Sequence, residues 1–282
     1  MPDSPSSSAQ AAREALAARL RELRLDAGLA GRDVAAACGW HPAKVSRIEH
    51  AKSTPSDDDL RAWCGACGAG EQSDDLIAES RTAESMYVQW RRLQRTGLRR
   101  LQESYVPLYE RTRHFRVYSS RVVPGVLQTE DYARALLSTI AQFRHVPDDA
   151  DRAATARVAR SQIVYEGRHT FGLLLEEDVL YYQYGDTAAM YAQLGHLLAV
   201  MQLASVSVGV IPRTARRSMW GQETFTMFDD ARVHVELLTA KVTVTQPSEV
   251  AAYARAFRAL SEMAVYGAAA RALITEAINS LE

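Results

Sequence analysis

Short apolar runs at helical spacing, each followed by a turn signal, fill residues 11–68. The first run carries leucines about one helical turn apart: Leu16, Leu20 and Leu23. Pro42 opens a third run and fits the first turn of a helix, because its missing N–H would have no partner there. Ser56, followed by three Asp residues, caps a fourth run. The pattern predicts a domain of short helices joined by short turns.

The third of these helices has the face that a DNA-reading helix needs. With Val45 and Ile48 turned inward, the remaining side chains stay exposed. The N-terminal residues of such a helix can reach base edges in the major groove, while cationic side chains reach phosphates. The candidate DNA contacts are His41, Pro42, Ala43, Lys44, Ser46, Arg47, His50 and Lys52.

These candidates divide by chemistry. Arg47 can bind guanine through two hydrogen bonds, and Ala43 can contact a thymine methyl group. Lys44 and Lys52 suit phosphates, since each is a point charge on a flexible stem.

Residues 39–56 read G-W-x-P-A-K-V-S-R-I-E-x-x-K-x-T-P-S, and this segment resembles the recognition helix and following turn of the phage-repressor (Cro/C1, or Xre-like) helix-turn-helix family. The resemblance implies that Glu49 stabilises the fold and does not contact DNA. Family members often begin the second helix with a Thr or Ser cap followed by a Gln that contacts phosphate. Ala30 and Gly31 occupy those positions here, so we expect a weak cap, with Arg32 making the backbone contact instead.

Beyond residue 113 the pattern changes to β-branched and aromatic runs that alternate with helical stretches. Strands are predicted at about 114–118, 169–175, 206–211, 224–228, 233–238 and 241–245. Helices are predicted at 129–140, 148–165, 187–204, 246–265 and 267–281. The later strands are close together, as in hairpins, whereas helices separate the earlier ones. The expected architecture is a mainly α helix-turn-helix domain followed by an α+β domain with a small mixed or antiparallel sheet covered by helices.

Four segments follow from these patterns: a disordered tail (1–10), a DNA-binding domain (11–70), a helical linker (71–112) and an α+β regulatory or partner-binding domain (113–282). The linker is arginine-rich, with Arg91, Arg92, Arg95, Arg99 and Arg100 close together. A solvated helix face is the favoured interpretation, and a face that contacts phosphate or an acidic partner is the alternative.

Residues 122–135 form the second distinctive segment. Pro124-Gly125 predicts a turn, and Thr129 can cap a helix that begins with two acidic residues. The pattern V-P-G-V-L-Q-T-x-D-Y-A-R-A resembles the signature of the actinobacterial regulator family that includes WhiJ-like proteins, and weaker matches extend over nearly the whole chain. The resemblance implies a small partner protein encoded nearby, in developmental regulation or a toxin–antitoxin-like arrangement.

The sequence does not favour an enzyme. It contains neither the H-E-x-x-H pattern of zinc hydrolases nor the G-x-S-x-G pattern of serine hydrolases. Glu176, Glu177 and Asp178 could serve acid–base work at a strand end, but a solvated acidic turn is favoured. Cys64 and Cys67 have no second Cys or His pair for zinc, so ordinary half-buried positions are favoured. We therefore predict no catalytic residues, cofactor or metal.

The absence of an apolar run of about 18 residues and of a secretory signal, together with only three cysteines, favours a cytoplasmic protein without a membrane segment or disulfide framework. The net charge of −1 excludes little, because DNA binding depends on the local charge of one face. The predicted function is sequence-specific, DNA-binding transcriptional regulation by a homodimer, because one recognition helix reads only a few base pairs. The C-terminal domain would mediate dimerisation and respond to a small-molecule effector or a protein partner. The alternative is a toxin–antitoxin-like module that holds a small partner protein and uses DNA binding for autoregulation.

Overall fold

The computed structural model describes residues 5–82, 87–221, 223–238 and 240–281. The chain divides into two compact units. The first comprises Met1–Tyr87 with Val244–Val250, and the second comprises Val88–Thr243 with Ala251–Glu282. No helix in the described ranges is long and apolar enough to cross a membrane.

Five helices of the first unit are α1 (Pro5–Asp26), α2 (Gly31–Ala37), α3 (Pro42–Glu49), α4 (Asp57–Ala66) and α5 (Ser73–Thr82). Helix α1 begins at Pro5, so residues 5–10, expected in a disordered tail, are helical instead. Residues 1–4 of that tail lie outside the described residues. Helix α5 contributes Leu76 and Ile77 to the core of this unit, so the first part of the expected linker belongs to the helical domain.

The core of the first unit forms from the apolar face of each helix. Leu20, Ile48, Leu60 and Trp63 are almost completely buried. Trp63 also donates its indole N–H to the carbonyl oxygen of Leu20, at 3.1 Å, which satisfies the one polar group of that side chain. The leucine spacing of the sequence therefore marks the face of α1 that packs inward.

The second unit contains further helices and most of a sheet. Its helices are α6 (Trp90–Leu93), α7 (Arg99–Ser104), α8 (Val106–Arg111), α9 (Glu130–Arg144), α10 (Ala150–Ser161), α11 (Thr187–Val200), α12 (Pro247–Met263) and α13 (Gly267–Asn279). The strands are β1 (Tyr87–Gln89), β2 (His114–Ser119), β3 (Thr170–Glu176), β4 (Val206–Ile211), β5 (Phe225–Phe228), β6 (Arg232–Glu236) and β7 (Ala240–Val244). The first residues of α12 and one end each of β1 and β7 are grouped with the first unit.

The seven strands form one mixed sheet in the order β1-β7-β6-β5-β2-β3-β4. Strands β2, β3 and β4 are parallel, and helices α9, α10 and α11 provide the crossovers between them. Strands β5 and β6 pair antiparallel, and β5 also pairs antiparallel with β2. The predicted class, a helical domain followed by an α+β domain with a mixed sheet, is confirmed. Within the region expected to be helical, β1 is a short strand.

Polar side chains fix the turns around α7 and α9. Asp149 accepts hydrogen bonds from the backbone N–H groups of Leu98 (2.6 Å) and Arg99 (3.1 Å) at the start of α7. Gly97, which has a φ of +100°, ends the preceding turn beside Asp149. Thr129 occupies the cap position of α9 as expected, but its hydroxyl makes no cap hydrogen bond. Instead, Gln193 of α11 accepts the backbone N–H of Thr129 at 2.8 Å.

Candidate nucleic-acid interface

Helix α3 presents one buried and one exposed face. Val45 and Ile48 are each about 2% exposed, which fixes the orientation of the helix. The opposite face carries the exposed residues His41, Pro42, Ala43, Ser46, Arg47 and His50. The structure therefore brings most of the predicted contacts together on one surface.

The N-terminus of α3 is ordered by two neighbouring residues. Pro42 occupies the first turn, and the Nδ1 of His41 accepts a hydrogen bond from the backbone N–H of Ala43, at 3.2 Å. At the other end of the helix, the imidazole Nδ1 of His50 lies 2.7 Å from the carbonyl oxygen of Ser46. Both histidines thus contribute to the ends of the helix and remain exposed.

Arg47 and Lys52 are the available cations of this surface. Both side chains are exposed, and within the described ranges neither has a hydrogen-bond or ion-pair partner for its charged group. The chain turns between them through Ala51, which has a φ of +53°. This turn is closed by a hydrogen bond from the backbone N–H of Lys52 to the carbonyl oxygen of Arg47, at 2.8 Å. The backbones of Arg47 and Lys52 are therefore held next to each other.

Lys44 is placed differently from the other predicted contacts. Its Nζ lies 2.6 Å from Oδ1 of Asp59 and 4.2 Å from the centre of the Trp40 ring. Burial alone would raise the pKa of Asp59, but hydrogen bonds from Lys44 and Ser56 outweigh that effect and lower it. The ammonium group predicted to contact phosphate is thus neutralised within the domain and joins α3 to α4.

Glu49 is bound inside the domain. Its carboxylate accepts two hydrogen bonds from the guanidinium of Arg24, at 2.6 and 3.2 Å, and both side chains are about 10% exposed. Arg24 also donates to the carbonyl oxygen of Leu29, at 2.8 Å. This arrangement ties α1, the α1–α2 turn and α3 together. The geometry agrees with a structural role for Glu49.

Helix α2 begins without a side-chain cap from Ala30. One of the two hydrogen bonds of a capping box remains, because the side chain of Asp33 accepts the backbone N–H of Ala30 at 2.7 Å. Arg32 projects into solvent with its side chain 84% exposed, 3.7 Å from the carboxylate of Asp33. A pairing this loose and this exposed leaves the guanidinium accessible to phosphate.

The acidic turn at 176–178 and the cysteine Cys64, which the sequence analysis also considered, are respectively held in ion pairs and chemically unreactive. Arg217 binds the carboxylate of Glu176 through two hydrogen bonds, at 2.8 and 2.7 Å. The side chain of Arg213 pairs with Asp178, and its backbone N–H donates to Glu177. Burial raises the pKa of Cys64 to about 11, so this thiol is protonated at neutral pH. The described residues contain no His, Cys, Asp and Glu group able to hold a metal ion.

Comparison with known families bears on both units. A family described as a domain of unknown function (DUF5753) matches residues 102–276, more than half of the chain. The chain belongs to the DUF5753 family. A second family, described as a helix-turn-helix domain, matches residues 15–76 of this DUF5753 protein. No curated protein and no solved structure matches. The N-terminal match supports an Xre-like, DNA-binding regulator, whereas the similarity to WhiJ-like proteins stays a prediction.

Sequence reasoning missed the partners of Lys44. From the sequence, Asp59 is expected only in the acidic first turn of α4. It does lie there, and it shares a capping box with Ser56. Its second role depends on how α3 packs against α4. An aromatic residue four positions before a lysine, as in Trp40 and Lys44, is the one local signal that the lysine could turn inward.

Proposed function

We propose that this DUF5753 protein is a sequence-specific transcriptional regulator in which α3 reads base edges in the major groove. The observation that carries the proposal is the exposed face of α3, on which Arg47 offers an unpaired guanidinium beside Ala43 and Ser46. An arginine in this position matches the two acceptors of guanine, and small neighbours allow close approach to the bases.

Phosphate contacts are assigned to the cations around this face. Lys52 and Arg32 are exposed and would contact the DNA backbone, and His41, Pro42 and His50 would lie close to it. Lys44 stays within the interface, but its contribution to affinity should be small because Asp59 neutralises it.

Two further parts of the proposal concern the assembly. A homodimer would present two α3 helices to two half-sites. The C-terminal α+β domain would provide dimerisation and regulation by a ligand or a partner protein. The proposed function is that of a soluble protein that acts in the cytoplasm.

The recognition role is tested by Arg47→Ala on DNA selected by the wild-type protein. Loss of a bidentate guanine contact should weaken specific binding by about 1–3 kcal/mol, and discrimination at that base should relax. Fluorescence anisotropy at fixed salt measures both. Arg61→Ala is the matched control, because Arg61 is exposed on α4 and, in the described part of the chain, pairs with Asp58 alone. An unchanged operator affinity would remove Arg47 from the proposal.

Lys52→Ala tests the phosphate contacts in the same assay. It should weaken binding evenly across sequences and reduce the slope of log affinity against log salt by about 1. Lys44→Ala should leave that slope nearly unchanged, since Asp59 already compensates its charge. A larger loss of salt dependence in Lys44→Ala than in Lys52→Ala would contradict the assignment of the phosphate contact to Lys52.

A further inference from the structure

A cavity of about 310 Å³ lies inside the second unit, between the sheet and the helices that cover it. Alternate residues of neighbouring strands form its floor, among them Phe115 and Val117 of β2, and Thr226 and Phe228 of β5. Its volume falls at the lower end of the range of small-molecule sites. The walls combine aromatic surface with a few polar groups, as ligand sites do.

Arginines are the dominant charged groups of this cavity. The lining contains Arg121, Arg144, Arg157 and Arg160, against one carboxylate in the described part of the chain, Glu236. Arg160 is only 7% exposed and lies over the ring of Tyr109, with its guanidinium carbon 4.5 Å from the ring centre. Burial, together with the neighbouring Arg160 cation, lowers the pKa of Arg157 to about 10, so Arg157 remains charged at neutral pH.

The hydrogen-bond partners of Arg157 and Arg160 are neutral. Arg157 donates to the side-chain oxygens of Gln102 (3.0 Å) and Gln128 (2.5 Å). Arg160 donates to the backbone oxygen of Gln102 (2.9 Å) and to its side chain (3.2 Å), while the described residues offer its Nε no partner. Among the residues described, no carboxylate lies within ion-pair distance of either guanidinium.

The buried Arg160 and the half-buried Arg157 lie side by side without an ion-pair partner among the described residues, which is costly for a folded protein. The one carboxylate of the described lining, Glu236, acts on Arg157 through its charge but forms no ion pair with it. Buried charges are normally paired, because the loss of hydration is otherwise uncompensated. The amides of Gln102 and Gln128 orient the guanidinium groups but cannot neutralise them. An anion bound in the cavity would supply the missing charge and make use of a geometry that is already ordered.

We propose that this cavity binds a small organic anion, a carboxylate or phosphate ester on an aromatic or other apolar body, through Arg157 and Arg160. Arginine binds both anions through paired N–H groups, and the aromatic walls favour a planar apolar body. Segment 122–128 builds part of the wall and holds Arg157 through Gln128. The distinctive V-P-G-V-L-Q motif of the sequence thereby acquires a role in a ligand site.

Binding by the full-length protein tests this proposal without DNA, so its outcome is independent of the proposed DNA-binding function. The probes are 2-naphthoate and phenyl phosphate, with the neutral isostere 2-naphthamide as the comparison. Isothermal titration calorimetry should give at least tenfold tighter binding of 2-naphthoate than of 2-naphthamide. Equal affinities for the acid and the amide, or no binding by either anion, would overturn the proposal. Preference for phenyl phosphate over 2-naphthoate would identify the anion as a phosphate ester.

Variants of α10 locate the site. Arg157→Met should abolish the preference for the anion, and Arg152→Met, an exposed arginine on the same helix, should retain it. Arg157→Lys keeps the charge but loses the paired geometry, and it should weaken 2-naphthoate binding by roughly tenfold. If Arg157→Met does not fold, the anion affinity of Arg157→Lys tests the role of Arg157 in its place. Full anion affinity in the Arg157 variants would overturn the assignment.

The same variants separate a ligand site from a structural role. The uncompensated charge of Arg157 destabilises the unliganded protein, whereas its hydrogen bonds to Gln102 and Gln128 stabilise it. The two effects oppose each other, so Arg157→Met should unfold within about 2–4 °C of the wild type. If Arg157 served only the packing of α10, the variant would unfold at a clearly lower temperature and the wild type would show no anion preference. That pair of results would refute the proposal.

Discussion

Lys44 and Asp59 show how one residue's neighbours decide its role. The side chain of Lys44 is about one-third exposed, and its ammonium group lies within hydrogen-bond distance of a carboxylate that also caps α4. Such a pair joins two helices of the helix-turn-helix domain, and it compensates a charge on the surface that we propose to face DNA. Its removal should therefore affect stability more than DNA affinity.

The pH dependence of stability tests this pair. The pKa of Asp59 is lowered in the folded domain, although burial opposes the shift. A group with a lowered folded-state pKa stabilises the fold above its unfolded pKa of about 3.9, and this contribution is lost as the pH falls through the folded-state value. The urea midpoint of the wild type should thus fall on acidification from pH 5 to below pH 3, and it should fall less in Lys44→Met. NMR signals of α3 and α4 report this unit separately.

The control for that comparison is Lys52→Met. Lys52 is an exposed cation on the same surface, and the described structure gives its ammonium no partner. Its variant should therefore lose stability on acidification as the wild type does. Identical acid profiles in Lys44→Met and the wild type would show that the ion pair contributes nothing.

For single residues, the sequence predicts which side chains are exposed better than it predicts which groups they pair with. The apolar positions Val45 and Ile48 orient α3, and the exposure of Arg47 and Ser46 follows directly from them. The partners of Lys44 and the burial of Arg160 do not follow, because both depend on packing between distant segments. A signal for the arginines does exist in α10, where Arg157 lies four residues and Arg160 seven residues beyond the small buried residue Ala153, on one helix face.

The α2–α3 turn sets the position at which the proposed recognition helix begins. Gly39 adopts a φ of +69°, and a Cβ added there would meet no atom within 4 Å. Substitution is therefore penalised by the backbone alone. A Cβ added at Gly65, within α4, would also have open space around it, but the backbone there is helical. The two glycines form a matched pair that differs in conformation.

We expect opposite effects of alanine at these two positions. Gly39→Ala should lower the free energy of unfolding of the first unit by about 1 kcal/mol, because a left-handed residue with a Cβ is strained. Gly65→Ala should raise it by about 0.5–1 kcal/mol, because alanine favours the helix. Native-state hydrogen exchange of α3 and α4 amides measures both. Stabilisation by Gly39→Ala would contradict the observed turn.

Element types were easier to predict than their arrangement. Six predicted strands match β2 to β7 within one or two residues, because β-branched and aromatic runs are local signals. The order of the strands is not local. The sequence placed hairpins late in the chain, but it did not predict that β5 pairs with β2, more than a hundred residues earlier. The three-residue strand β1 is too short to produce a pattern.

The size of a DNA site constrains the whole molecule. One α3 helix would contact only a few base pairs, so a site that is unique in a genome requires a second copy. We expect a dimer at micromolar concentration in sedimentation equilibrium. Footprinting should show two protected half-sites about 10 base pairs apart, centre to centre. A monomer that protects a single half-site would exclude the two-fold arrangement.

Communication between the cavity and the DNA-binding face is the last consequence, and it rests on both proposals. If an anion regulates DNA binding, linkage requires that each ligand change the affinity of the other by the same factor, typically 5- to 150-fold. Anisotropy titrations of selected DNA with and without 2-naphthoate give one factor. Calorimetry of 2-naphthoate with and without DNA gives the other. The two factors should agree. Arg157→Met should remove the effect of 2-naphthoate on DNA affinity, and Arg152→Met should keep it.

The contradicting outcome is binding of the anion with unchanged DNA affinity. The cavity would then serve a purpose other than control of DNA binding, because a ligand that binds two conformations equally well does not change the equilibrium between them.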